Sequence, residues 1–479
     1  MLQLHNTLTK KKEEFKPIHA GKVSMYICGP TVYDYLHLGN VRSYMTPDIL
    51  RRYLEYSGYE VRQIKNITDV GHLTQDDLAQ GDSGEDKIEK KALKEKKSPR
   101  EIADYYEAYF HDKEKELNIL PAHYFPKATA HVGQMIKIIQ KLIDNGSAYE
   151  KNGNVFFDVT SFPDYGKLSG NTLENLKVGA RLEEHPDKKN PWDFALWLKA
   201  PKEHILKWDS PWSLGYPGWH IECSAMSTEY LGDTIDIHTG GEDNIFPHHE
   251  AEIAQTECAT GAKFVNYWLH TRHLLIDGEK MSKSKGNFYT LENIKEKGYD
   301  PMVLRLAIIS SHYRNQMNFT WDVMDQARSN FQKITDFVLN MKNMAQLETE
   351  PSDAGFLAEI EKYQEKFEEA MDDDLNTPLA LSVVYGLITE TNKLLSEDKL
   401  SSVEADKALK LWEKMNKIFG LIIPEEIEIP EEVKKIAEER KQAREAKDFQ
   451  KSDELRDKIS ELGYTVEDIK DNNYLIKRK

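Results

Sequence analysis

The sequence predicts an α/β chain built on a doubly wound parallel sheet, interrupted by an insertion and followed by a helical bundle. Three observations predict it: a strand–helix–strand pattern from Lys22 to Ile67, a return of strand-then-glycine at Ile235–Gly241, and amphipathic helical stripes from Ile360 to Phe419. The chain has 479 residues, room for about three domains of ~150 residues. Hydrophobic residues make up 39% and charged residues 30%. That composition suits a globular protein and excludes a membrane-embedded or low-complexity chain. Acidic residues number 81 against 64 Lys and Arg, a formal charge of −17. Such a chain is no general polyanion binder, so any RNA contact must use local basic patches.

The elements follow in order. Val23, Met25 and Ile27 alternate in a strand over Lys22–Cys28, and the loop Gly29-Pro30 follows. Met45, Ile49, Leu50 and Leu54 lie on one stripe of a helix from about Asn40 to Tyr56, stopped by Gly58. Tyr59–Ile67 reads as a second strand, which completes a βαβ unit. Residues 75–118 are strongly charged and read as a mobile or solvated insertion returning to helix near Ile102. Residues 120–205 mix helix, loops and a short strand, Val155–Val159, and interrupt the sheet. Strand pattern returns at Ile235–Gly241, with a helix expected after Pro247.

A break falls near 346–356. Ile360, Tyr363, Phe367 and Met371 then form a helical stripe. Asn376-Thr377-Pro378 opens a second helix, a capping side chain with proline in the first turn, whose stripe is Leu379, Val383, Leu387 and Leu394. Leu411, Met415, Ile418 and Phe419 mark a third, and the three suggest a bundle. After LIIPEEIEIPEE at 421–432, the tail 431–479 carries 13 basic and 13 acidic residues, so it tolerates a polyanion better than the rest.

Cys28, Cys223 and Cys258 are too few and odd in number for a disulfide framework. Met1–Phe15 is polar and lacks the apolar core of a signal peptide, and no stretch reaches ~18 apolar residues. The cytoplasm is the expected location.

Two motifs carry chemistry. His37-Leu38-Gly39-Asn40 opens the first helix, whose unpaired N–H groups attract phosphate. Gly39 permits close approach of a ligand, and His37 can donate to a phosphate oxygen. A capping turn with a surface histidine describes the same four residues. Downstream, Lys280-Met281-Ser282-Lys283-Ser284-Lys285-Gly286-Asn287 has the composition of a phosphate-clamping loop, or of a solvated turn. Neither a dinucleotide fingerprint nor a Walker loop is present. A third constellation suits a metal: Cys28, nine residues before His37; Cys223 in Gly-Trp-His-Ile-Glu-Cys; and His248 and Glu252, four apart after Pro247. Two thiolates, an imidazole and a carboxylate fit Zn²⁺. Spacing alone also allows buried small cysteines and two helix-start histidines.

Taken together, the motifs resemble the His-Ile-Gly-His and Lys-Met-Ser-Lys-Ser signatures of class I aminoacyl-tRNA synthetases, with Leu38 and Asn40 departing from the first. Cys28, Gly218–Cys223 and Phe246–Glu250 are similar to blocks of the cysteinyl-tRNA synthetase family, over Leu4 to Asp468. The resemblance implies a Rossmann-like catalytic domain over 1–310 with a connective insertion at about 75–205. It implies a stem-contact linker at 311–350, a helical bundle at 351–422, and a small α+β anticodon-binding module at 423–479. It implies ATP-dependent activation of L-cysteine to cysteinyl-adenylate and transfer to tRNA(Cys), by a monomer.

Residue by residue, the resemblance implies one zinc on Cys28, Cys223, His248 and Glu252, with Cys258 outside any site. It places ATP, with Mg²⁺, on Pro30, His37, Gly39, Asn40, His238, Gly240, Asp243, Lys280, Met281, Ser282, Lys283 and Ser284. His37, Asn40, Lys280 and Lys283 would act on the phosphates. Gly29, Thr68 and Trp219 would receive cysteine, with His238 and Asp243 in a loop near the ribose and the substrate amine. Arg444, Phe449, Asp453 and Asp468 would meet the anticodon. Asn472-Asn473-Tyr474-Leu475 departs from the family's usual ending. Two rivals are a cysteine ligase acting on an amino sugar and a zinc-stabilised RNA-binding protein without catalysis.

Overall fold

The computed structural model describes residues 1–70, 73, 86–175, 186–282, 286–347, 354–424, 429–468 and 474–478. It divides into two units. One comprises Met1–Asp325, Glu368–Ala380 and Lys417–Gly420; the other comprises Gln326–Phe367, Leu381–Asn416 and Leu421–Lys479.

The first unit centres on a parallel sheet. Its strands are Val265–Thr271, Ile235–Gly241, Lys22–Ile27 and Glu60–Lys65, in that spatial order. Met25 pairs with Ile237 and Ile27 with Lys65. The helix Leu38–Tyr56 makes the crossover between the first two strands in sequence, as its stripe predicts. The sheet therefore grows one way from Lys22–Ile27 to Glu60–Lys65, and the other way to the later strands. A sheet that reverses its order like this opens a crevice beyond the strands' carboxyl ends. Cys28–Pro30, Asn66–Thr68 and Gly240–Gly241 all stand at that edge. Tyr26, Ile64, Ile235, Trp268 and the helix residues Ile221, Ile253 and Met135 fill the core beneath it.

The insertion departs from expectation. Helix begins at Lys87, where Asp86 caps the N–H groups of Ile88 and Glu89 at 2.9 and 3.0 Å, and a second helix runs Pro99–Glu116. Ile88 and Ala92 are buried, and the Glu89 carboxylate accepts the N–H groups of Ile205 and Leu206. The expected return near Ile102 is thus too late, because the charged residues of the nine-residue helix Lys87–Glu95 hide a narrow apolar edge. The stretch 75–85 lies outside the described residues. An antiparallel sheet of Ala148–Lys151, Asn154–Phe157, Phe194–Lys199 and Gly215–Pro217 is legible in the sequence only at its second strand. The hairpin Gln3–Asn6 with Lys11–Glu14 is not legible there at all.

Asp374 closes the first unit. Its buried carboxylate accepts from the His5 N–H at 2.8 Å, the Tyr313 hydroxyl at 2.6 Å and Arg314 Nε at 2.6 Å. Asp374 and Leu375 adopt φ of 61° and 55°, a left-handed conformation that costs non-glycine residues energy and persists here because those contacts fix it. Deeper in the same unit, the Arg305 guanidinium meets the Asp48 carboxylate with both side chains fully buried, and donates to Phe419 O at 2.6 Å and Leu117 O at 2.8 Å. Burial works against the charge on Asp48, but Arg305 and Arg52 outweigh it and hold its pKa below the usual carboxylate value.

In the helices beyond residue 354, Ile360, Phe367 and Met371 are buried as expected, and so are Leu411, Met415, Ile418 and Phe419. Asn376 caps Thr377–Ser396 by accepting the Leu379 N–H at 3.2 Å. The stripe of that helix needs correction: Leu379 is exposed, and the buried face is Ala380, Leu381, Val384, Leu387 and Ile388. The smaller Ala380 and Val384 repeat at helical spacing as well as the leucines do, so composition misassigned the face. At the C-terminus, helices Glu431–Glu445 and Phe449–Glu461 join a hairpin of Tyr464–Asp468 with Tyr474–Arg478, around Val433, Ala437, Ile459 and Val466.

Candidate metal centre and nucleotide cleft

The strand Lys22–Ile27 delivers Cys28, the helix Trp219–Leu231 delivers Cys223, and the turn after Pro247 delivers His248 and, one turn on, Glu252. One ligand atom from each lies within 4.8 Å of the others. The two sulfurs are 3.7 Å apart. Sulfurs each about 2.3 Å from one zinc ion at a tetrahedral angle would stand about 3.8 Å apart.

The remaining atoms of the set already have neighbours. His248 Nδ1 faces His220 Nδ1 at 2.9 Å, and Glu252 Oε2 faces His238 Nε2 at 3.0 Å. That leaves His248 Nε2 and Glu252 Oε1, 3.1 Å apart, buried and without a hydrogen-bond partner. Orphaned buried polar atoms are costly unless something fills the point they share. Here that point has two sulfurs beside it, and the outer ring nitrogen and outer oxygen are held as metal ligands usually are. Cys28, Cys223, His248 and Glu252 therefore fit a zinc ion. Burial opposes charge on His248, but Cys223 and Glu252 beside it push the imidazole up to about 10. Burial also opposes charge on Glu252, and His238 and His248 override it, bringing the carboxyl to about 2.

His249 and His270 escape a reading of the sequence. His238, His249 and Glu252 form an overlapping group of potential ligands. His249 Nδ1 meets His270 Nε2 at 2.8 Å, and His270 Nδ1 meets Thr7 Oγ1 at 2.8 Å. Burial first, and neighbouring histidines second, pull His249 far down and His270 to about 3, so this chain is neutral. His238 is a correction of place: it lies in the strand Ile235–Gly241, fully buried against Glu252 and Trp268, not in a loop. The histidines sit on three elements with no shared spacing; only the doubled His248-His249 hints at them.

Around the metal group, Trp219 lies over His248 with ring centroids 4.2 Å apart. Thr68 donates to the buried Glu222 at 2.8 Å and accepts from Asn66 at 3.1 Å, and Asn66 accepts the Gly29 N–H at 2.8 Å. A Cβ at Gly29 would stand 1.6 Å from Asn66 O, so only glycine allows this approach. Pro30 O accepts the Thr68 N–H at 3.0 Å. Glu222, between Trp219 and Cys223 in the quoted block, has no role in the sequence reading.

The signature helix starts with a capping box. His37 Nδ1 accepts the Asn40 N–H at 3.2 Å, and Asn40 Oδ1 accepts the His37 N–H at 3.3 Å. The ring nitrogen that accepts carries no proton, so a neutral His37 bears its proton on Nε2. A Cβ at Gly39 would stand 2.9 Å from the His37 ring, so the glycine serves the histidine's capping pose. His37 pairs with Thr290, and Leu38 N–H donates to Tyr289 O at 3.0 Å. The segment after the lysine–serine loop is thereby tied to the first signature.

Lys280 ends the hairpin strand Glu279–Lys280, with Nζ 3.6 Å from Asp243 Oδ1. Ser282 N–H donates to Asn287 Oδ1 at 2.8 Å, next to Met281. Lys283 and Ser284 lie outside the described residues. Gly240 faces the His249 ring, where a Cβ would stand at 2.6 Å. Apart from these, Arg444, Phe449 and Asp453 are exposed in the C-terminal helices, and Asp468 ends a strand whose side chain is outside the described set.

The sheet-edge cleft and paired signatures are those of class I tRNA synthetases. Residues 14–329 match the family model for the tRNA synthetases class I (C) catalytic domain, and residues 366–423 match a DALR domain. A Mycobacterium tuberculosis methionyl-tRNA synthetase bound by methionyl-adenylate superposes at TM-score 0.61, over 84% of this chain and 92% of that one; at 13% identity the likeness is one of fold. Residues 427–475 match the cysteinyl-tRNA ligase anticodon binding domain. Cysteine–tRNA ligase of Chlorobaculum tepidum is 42% identical over 100% of this chain and 99% of its own. That of Thermus thermophilus is 43% identical over 98% of each. The chain belongs to the cysteine–tRNA ligase family.

Proposed function

We propose that the chain activates L-cysteine with ATP to cysteinyl-adenylate and pyrophosphate, and transfers the cysteinyl group to tRNA(Cys). One observation carries the reading: a thiol-rich four-donor group and a capped helix N-terminus share the carboxyl edge of one sheet, Cys28 preceding His37 by nine residues. Cys28, Cys223, His248 and Glu252 hold zinc, which when bound supplies a thiophilic Lewis acid that favours the thiolate of cysteine over the hydroxyl of serine. Gly29, Thr68 and Trp219 shape the amino-acid pocket; Glu222 fixes the Thr68 hydroxyl.

The cysteine carboxylate attacks the α-phosphorus of ATP, and pyrophosphate leaves. Positioning and charge neutralisation do most of this chemistry. The N–H groups of the first turn, with Gly39, Asn40 and His37 Nε2, receive phosphate oxygens. Pro30, Gly240 and Asp243 border the nucleotide. Lys280 and Lys283 neutralise the leaving pyrophosphate, with Met281, Ser282 and Ser284 in the same loop and Mg²⁺ accompanying ATP. The anticodon module reads tRNA through Arg444, Phe449, Asp453 and Asp468. The domains run 1–310, 311–350, 351–422 and 423–479. The match at 427–475 disfavours an amino-sugar acceptor, and the catalytic-domain match at 14–329 disfavours a non-catalytic RNA binder. Among the described residues, no helix is long and apolar enough to cross a membrane; we place the protein in the cytoplasm as a monomer.

The test is exchange of labelled pyrophosphate into ATP, dependent on cysteine, followed by charging of tRNA(Cys). Cysteine is expected to support exchange and serine not, with activity lost on chelation and restored by zinc. Equal exchange with serine, or full activity in metal-free protein, overturns the reading.

A further inference from the structure

Arg42 lies in the signature helix, five residues after His37, and is 2% exposed. Its guanidinium meets four backbone carbonyls. Nη1 donates to Arg272 O at 2.8 Å and to His273 O at 2.9 Å; Nη2 donates to His312 O at 3.1 Å and to Asn315 O at 2.5 Å. A buried charge is costly unless such partners replace its water. Burial pulls the guanidinium down to about 10, so it stays charged at neutral pH. A lysine in its place offers three donors and no planar fork.

Those carbonyls stand at the entries to Leu274–Ile276 and Met317–Phe319, the two parallel strands of a small sheet. Leu274–Ile276 also pairs with Glu279–Lys280, through Leu275 with Lys280 and Ile276 with Glu279. The sheet that Arg42 anchors therefore ends on Lys280, at the start of the second signature. Glu242 holds the same turn from another side. Its carboxylate accepts the His273 N–H at 2.6 Å and pairs with Arg272 Nε at 3.1 Å. Downstream of the signature, Tyr289 and Thr290 are tied to Leu38 and His37. Lys280 on one side and Tyr289 on the other thus both take their place from one helix, the helix whose N-terminus faces phosphate.

We propose that Arg42 is a positioning residue for adenylate formation, one that sets where Lys280 stands relative to the helix N-terminus. Its Nη donors are spent on backbone, so it acts through the strands and not on the nucleotide. Charge on the phosphates is stabilised only where both sets of donors meet it together, and a misplacement of about 1 Å costs about 100-fold. The inference rests on the proposed function, because it takes Lys280 to neutralise the leaving pyrophosphate. On this reading the two signatures, far apart in sequence, are held in register by a single buried side chain.

The test is Arg42→Lys in the full chain, which keeps the charge and gives up part of the fork. It is expected to lower kcat for cysteine-dependent pyrophosphate exchange about 100-fold, with KM for cysteine within about twofold and zinc content unchanged. Transfer to tRNA(Cys) from cysteinyl-adenylate already formed on the protein, followed in a single turnover, is expected to stay within about twofold, because pyrophosphate has left by then. Glu242→Ala loosens the same turn and is expected to repeat the split at about tenfold, for a smaller displacement. In the double variant the two losses should be less than multiplicative, since both residues hold one turn. If circular dichroism shows Arg42→Lys unfolded, Glu242→Ala alone decides. Unchanged exchange, an equal fall in exchange and transfer, or a raised KM for cysteine at full kcat overturns the inference. Absence of cysteine-dependent exchange in the unaltered chain instead overturns the proposed function.

Discussion

The four-donor group and the C-terminal module are built in opposite ways. Cys223, His248 and Glu252 are at most 1% exposed, and His220 and His238 meet the outer atoms of His248 and Glu252. The C-terminal module, Glu431–Arg478, packs around Val433, Ala437, Ile459 and Val466 and leaves Phe449 63% exposed at a helix start. A ligand of a few atoms is told from its isostere only where water is excluded and every donor is placed. A polynucleotide, which the proposed function assigns to the C-terminal module, would be met from outside by rings and charges kept in solvent.

The sharpest break of that contrast is Cys223→Ser. Zinc content by elemental analysis should fall to near zero and cysteine-dependent exchange to background, because a hydroxyl replaces a thiolate. Next comes Arg305→Met, which removes the fully buried partner of the Asp48 carboxylate and leaves it Arg52. Urea unfolding followed by circular dichroism should show a loss of about 3–5 kcal/mol. The same pair predicts acid sensitivity. Since the folded pKa of Asp48 is depressed, its stabilisation is present above the unfolded value near 3.9 and is lost as pH falls through the folded value. Unfolding curves for Asp48→Asn should therefore converge on those of the unaltered chain at the acid end.

His238→Ala removes the partner of Glu252 Oε2. Zinc affinity in a chelator competition should weaken about 10–100-fold, with the fold intact by circular dichroism. In the other region, Phe449→Ala should raise KM for tRNA(Cys) up to about tenfold and leave pyrophosphate exchange untouched. The smallest effect is expected for Lys434→Ala, which loses an exposed pair with Glu431 and should leave the urea unfolding midpoint unchanged. If Phe449→Ala depressed exchange, or Lys434→Ala cost as much as Arg305→Met, the contrast between enclosed and open recognition would fail.

The parallel sheet's first strands and the signature helix are legible in the sequence because Val23, Met25, Ile27 and then Met45, Ile49 and Leu50 repeat at clean periods. The four donors are legible because cysteine is scarce and His248 and Glu252 share a helical spacing. His220, His249 and His270 are not, since their contacts are made by the crossing of separate elements, which no local pattern encodes. The helix at Lys87 is hidden for a related reason: its apolar edge is only Ile88 and Ala92, and its chief tie is the Glu89 carboxylate on a backbone more than a hundred residues away. Charge that reads as solvation there is in fact a buried cap.

The clasp at Asp374 has a practical consequence for dissecting the protein. His5, Tyr313 and Arg314 all depend on a carboxylate that sequence order places beyond the long helix Trp321–Ala345, and Arg305 depends on Phe419 still further on. A gene fragment halted at residue 325 would expose an uncompensated arginine and an unfilled seam. The shortest self-sufficient catalytic piece must run through Gly420, so trimming for crystallisation or domain transplantation has to spare the helices in between.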